Sequence, residues 1–286
     1  MNLFKALFGG KAETSTEHNE NDLKKNFNVL KYDGVRAMKA GKFAYAIECF
    51  THALDITPDL QTMDYLSRAY ASMGKYQDAF NTLKTMSEAV PDNQHILISM
   101  ASMAYCMDNY GLMGETCERA LQLGQDNASV FYLYAEAMKG QGDTVNAISM
   151  LTKALELIPD YIEALLLRAK LLMETGDNAG SSADVDHILK KNPNNEDALL
   201  LKAQIAVKQN NAQAALEYFG KVLDVNPFNI EVFKDRAALY RAEGNEQKAE
   251  EDEREVAELE KNIPVADGNI EEQTRQAYNR INPFGI

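Results

Sequence analysis

A spacing of 34 residues constrains this 286-residue chain more than any other feature. One slot recurs at Ala46, Ala79, Met113, Ala147, Ser181, Ala215 and Ala249, at an interval of 33 residues once and 34 thereafter. A turn residue recurs a few places ahead of it, as Gly41, Gly74, Asp108, Gly142, Gly176, Asn210 and Gly244. These are residue types that accept the left-handed backbone ending a helix. A closing proline recurs at Pro58, Pro91, Pro159, Pro193 and Pro227. Each period carries two helical patterns around the turn. Units of this length cannot bury their apolar faces alone, so they stack in an array rather than form separate compact domains.

The stretch from Ala128 to Tyr161 shows one unit in full. It places Phe131, Tyr134, Ala135 and Met138 on a first helix, Ala147, Leu151 and Ala154 on a second, and Pro159 at the close. This order resembles the tetratricopeptide signature W-x2-L-G-x2-Y, then A-x3-F, then P. The resemblance covers residues 27–261 as repeats near 27–59, 60–93, 94–127, 128–161, 162–195, 196–229 and 230–261. It implies an all-α fold, an α-solenoid of helix-turn-helix repeats wound into a right-handed superhelix. The physical basis is close helix contact: Ala147 and Ala154 form a recess that admits Phe131. A looser fit is expected at Met113 and Gly114, at Ser181 and Ser182, and where Gln125 replaces the third closing proline.

Outside the repeats the chain changes character. Residues 1–26 begin with Leu3, Phe4, Leu7 and Phe8 at helical spacing, a short apolar face. It suits either a weak membrane or partner anchor or a terminus resting on nearby apolar surface. Residues 11–22 are polar and lack aromatics, which predicts disorder. In the seventh repeat Glu253 takes the slot held by Phe50, Leu83, Leu151 and Phe219. The run Glu250–Glu253 therefore reads as the solvated cap of an end repeat, or else as a dock for a basic partner. Residues 262–286 form a tail in which Ile270, Thr274, Ala277, Tyr278 and Ile281 suggest one short helix.

Chemistry is sparse. No phosphate loop, catalytic set, metal-ligand spacing or cofactor motif is present, so an enzyme is not expected. His95 and Cys106 share a predicted helix, but eleven residues separate them by roughly 16 Å, too far for a nucleophile and its base. A formal net charge of −14 disfavours nucleic acid and anionic membrane. No run of about 20 apolar residues is available to span a bilayer. Cys49, Cys106 and Cys117 are expected as free thiols, and with no convincing signal peptide this favours a cytoplasmic location.

The resemblance puts the first helices on the concave side of the array. In the fourth repeat Tyr132, Glu136 and Lys139 share that stripe at i, i+4 and i+3 spacing. Reading the same slots along the chain gives a candidate partner-binding groove of Arg68, Ile98, Tyr105, Tyr132, Lys139, Leu166, Lys170, Met173 and Leu200. It is apolar through the middle repeats, which marks an interaction strip. The same side chains could instead pack between neighbouring first helices. The carboxylate clamp of chaperone-binding tetratricopeptide proteins is missing, since Val35 follows Lys31 where asparagine is needed and His95 and Ser99 stand where Lys and Arg are needed. Two readings result. One is a non-enzymatic scaffold that binds a protein or peptide segment. The other is a structural subunit whose groove is filled by its own tail or by another subunit.

Overall fold

A computed structural model describes the backbone of residues 10–124 and 126–262, with side chains from Glu20 to Lys261 over that range. Among the described residues all regular structure is helical. Three repeats come first: α1 (Gly10–Lys39) with α2 (Phe43–Ile56), α3 (Leu60–Ser72) with α4 (Tyr76–Ala89), and α5 (Gln94–Cys106) with α6 (Tyr110–Leu123). Four more follow: α7 (Ala128–Gly140) with α8 (Thr144–Leu157), α9 (Ile162–Thr175) with α10 (Asn178–Lys191), α11 (Glu196–Lys208) with α12 (Ala212–Val225), and α13 (Ile230–Ala242) with α14 (Glu246–Asn262). The chain forms two compact units that part between Gly124 and Gln125, where the third repeat has lost its proline. Within each unit the helices of a repeat pack together, and each second helix packs on the first helix of the next repeat.

The turn residues do what their types predict. Gly41, Gly74, Gly142, Gly176 and Gly244 all have φ between 70° and 92°, while Asp108 and Asn210 take 52° and 55°. Most helices also start on an Asp or Asn whose side chain accepts a backbone N–H of the first turn, as Asp59 does from Thr62 and Asn229 from Val232. Such caps satisfy donors that the helix itself leaves open.

The recurring slot on the second helices is closed throughout, since Ala46, Ala79, Met113, Ala147, Ser181, Ala215 and Ala249 are all 0% exposed. The expected loosening at Met113 and Ser181 therefore does not occur at those side chains. Ser181 fits because its hydroxyl donates to the Ala169 carbonyl at 2.7 Å. On the first helices the facing slot is also small: Gly34, Ser67, Ala101, Ala135, Ala169, Ala203 and Ala237. In the first repeat only glycine fits, for a Cβ on Gly34 would come within 2.5 Å of Phe50 Cε1.

Two expectations need correction. Residues 11–22 belong to α1, which is continuous from Gly10. Their polarity leaves nothing to bury, but extending an existing helix costs far less than starting one, and the packed part near Phe27 supplies the start. The acidic run of α14 is not uniformly solvated either. Asp252 is buried and accepts two hydrogen bonds from Arg236, at 2.6 and 2.9 Å. Glu250, Glu251 and Glu253 are exposed, and Glu253 pairs with Arg241 at 2.8 Å. The apolar stub at Leu3–Phe8 and the short helix expected at 270–281 lie outside the described residues.

Candidate functional site

The nine groove residues divide between the units. In the first unit Ile98 on α5 is buried, Tyr105 is half-buried with its ring edge-on to Tyr110 at 6.4 Å, and Arg68 on α3 is exposed beside Asp64 at 3.8 Å. In the second unit the structure brings together Tyr132 and Lys139 on α7, Leu166, Lys170 and Met173 on α9, and Leu200 on α11.

Burial then sorts this second set. Tyr132 does not front an open surface. It is 9% exposed, its ring lies 5.3 Å from that of Tyr161, and its hydroxyl donates to Glu136 Oε1 at 3.2 Å. Lys139 Nζ donates to the other oxygen of Glu136 at 2.8 Å. A carboxylate as buried as Glu136 requires such partners, because an unpaired charge there would lose its hydration uncompensated. Tyr161 is itself half-buried, and burial pushes its hydroxyl pKa above the usual tyrosine range. Met173 is buried as well, and its carbonyl accepts from Lys208 Nζ at 3.0 Å.

Leu166 and Leu200 are different. They occupy one slot on α9 and α11, first helices in mutual contact, and both are half-buried. Two turns further on along α11, Val207 is 43% exposed. Lys170 lies between Leu166 and Met173 on α9, is exposed, and has no acidic partner among the described residues. This combination is a partly open apolar strip with one uncommitted cation. On another side of the same unit, an open depression of about 810 Å³ between α10 and α12 is lined by Leu189, Tyr218, Lys221 and Asp224 among others. Its lining mixes apolar residues with charged ones, Asp186, Lys190, Lys221 and Asp224.

The ion pairs that hold the second unit together escaped the sequence reading. Arg168 on α9 makes a two-pronged bond to buried Asp184 on α10, at 2.6 and 2.8 Å, and also donates to Thr152 on α8. Arg236 and Asp252 repeat that geometry 68 residues later. The signal was available as an Arg and an Asp sixteen residues apart, occurring twice at equivalent places. Asp160, in the turn before α9, accepts hydrogen bonds from Lys191 and His187 of α10. These hold its carboxyl below the usual carboxylate range.

Cys49, Cys106 and Cys117 are free thiols. Burial pushes Cys106 up to about 11 and Cys117 to about 12, so neither is an activated nucleophile. Among the described residues no group of three or more His, Cys, Asp or Glu could hold a metal ion, and no helix is long and apolar enough to cross a membrane.

Comparison with known proteins agrees with this architecture. Two tetratricopeptide-repeat family models match, over residues 138–205 and 200–262. Among solved structures, a tetratricopeptide repeat protein from Parabacteroides merdae is 15% identical, covering 88% of this chain and 98% of its own, with a TM-score of 0.67. PilW, described as a type IV pilus biogenesis factor, is 19% identical over 73% of this chain and 95% of its own, at 0.63. YrrB, described as having an unusual peptide-binding site, is 19% identical over 65% of this chain and 96% of its own, at 0.54. No curated protein matches the chain. Identities this low speak to the fold alone. The repeat marks, the paired helices and the family models together show that the chain carries tandem tetratricopeptide repeats.

Proposed function

We propose that the protein is a non-enzymatic scaffold that holds a segment of a protein partner on the first-helix face of its second unit. The strip formed by Leu166 and Leu200, with Val207 beside it, carries the reading. Tetratricopeptide arrays present their first helices as an extended concave binding surface. Apolar side chains left open on such a surface mark the contact. Lys170 sets the orientation of the bound segment through an acidic group on it, adding more to specificity than to affinity. Tyr132, Glu136 and Lys139 are tied to one another and are left out of the strip. The fold of YrrB, a protein whose description includes peptide binding, fits the same use of this architecture.

The test is capture of partners from the native host by wild type and by a Leu166→Ala/Leu200→Ala variant. Both positions are half-buried, so the variant is first checked for a folded state by circular dichroism. Loss of the partners captured by the folded wild type supports the reading. Unchanged capture by a folded variant removes it. Should residues 263–286 occupy the strip, deleting them will increase capture rather than leave it unchanged.

A further inference from the structure

The first repeat has a face that the other repeats lack. On α1, Val29 is 51% exposed and Tyr32 is 71% exposed. Their equivalents in the later repeats of each unit are buried or half-buried, except Asp235 in the seventh, which is exposed but polar. The Val29 slot holds fully buried Thr62 in the second repeat and buried Ala164, Ala198 and Val232 in the last three. The Tyr32 slot holds Tyr65, stacked on Phe50 of α2 with ring centroids 5.7 Å apart, and buried Leu167 and Leu201. Repeat arrays put polar residues on an uncovered terminal face. The seventh repeat obeys this with exposed Glu253, whereas α1 does not.

We infer that a second copy of this chain covers this face, with the two α1 helices antiparallel across a two-fold axis near Val29. The stripe is built to match itself. Asp22, Lys25, Val29, Tyr32 and Arg36 follow one another at i+3 and i+4 intervals on one side of α1, and all five are exposed. Asp22 lies seven residues before Val29 and Arg36 seven after it. A two-fold axis at Val29 therefore sets each Asp22 against the Arg36 of the other copy. It also sets Lys25 beside Tyr32 and Asp33, a cation meeting an aromatic face and a carboxylate. Every such contact occurs twice, as an isologous interface requires. Arg36 already donates to Asp33 at 2.8 Å, yet its side chain is 83% exposed and keeps donors for a second acid.

Length supports the same occupant. α1 has 30 residues against 14 for α2, so its first half extends past its partner and leaves room for an antiparallel overlap.

The experiment is sedimentation velocity on the full chain across about a hundredfold range of concentration. Wild type is expected as a reversible dimer. A Val29→Glu/Tyr32→Glu variant should raise the dimer dissociation constant at least about 100-fold, since it places like charges on the axis. Asp22→Arg alone should weaken the dimer about tenfold, and adding Arg36→Asp should restore it by exchanging the two ends of each pair. A wild type that stays monomeric over the whole range overturns the inference. So does a dimer that survives the Val29/Tyr32 change, or one that the charge exchange fails to restore. Asp22 and Arg36 are exposed, so this arm remains decisive even if the glutamate variant unfolds.

Discussion

Single atoms decide the fit between helices in this protein. Gly34 marks the tightest such place described here, because any Cβ would enter the ring of Phe50, which is wholly buried. Replacing Gly34 by alanine should destabilise the first unit by about 1–3 kcal/mol, the usual cost of overfilling a packed site. A urea unfolding curve followed by circular dichroism would show this as a lowered midpoint, and an unchanged midpoint would mean that Phe50 moves aside freely. The glycine belongs to a series that runs on through Ser67 and five alanines, one per repeat. That series was as readable as the one on the second helices. The burial of Tyr132 was not readable, because its slot alone does not reveal that Glu136 and Tyr161 close around it.

At the level of the helices, two kinds of strap tie the second unit together, one within a repeat and one between neighbouring repeats. The stronger is the pair between Arg168 and Asp184. Replacing Arg168 by methionine keeps most of the packing but strands a buried carboxylate, which costs about 3–5 kcal/mol. Chemical unfolding measures that loss, and a shift under about 1 kcal/mol would show that water reaches Asp184 and supports it instead. The weaker strap is Asp160 with Lys191 and His187, exposed on the surface and so sensitive to pH rather than to burial. Because these partners lower the carboxyl pKa in the folded state, the contribution of Asp160 is complete above the unfolded carboxyl range near pH ~4. It disappears as pH falls through the lowered value. The wild-type melting temperature should therefore fall more steeply below about pH 4 than that of an Asp160→Asn variant. Parallel slopes would show that the strap adds nothing. Helix boundaries were largely legible from the Gly, Asp and Asn at the turns, each of which took its expected left-handed φ. The straps were harder to see, since a charge sixteen residues away looks like ordinary surface until the helices are paired.

Across the whole molecule, periodicity revealed the repeats, and chemical asymmetry distinguishes the ends. The first repeat presents Val29 and Tyr32, while the last presents Glu250, Glu251 and Glu253. The parting of the units at Gly124 coincides with the one internal repeat that lacks its proline. The sequence showed that substitution but not its consequence, which depends on how the flanking helices pack. The candidate groove was legible as a set of slots, yet only Leu166, Lys170 and Leu200 of the second unit combine apolar or charged character with open surface and no internal task. The most direct test of the binding strip uses a photo-crosslinking residue introduced at position 200, or at position 218 in the depression between α10 and α12, in the full chain within its native host. The account predicts a partner adduct from position 200 and none from position 218. An adduct from position 218 with none from position 200 would contradict it.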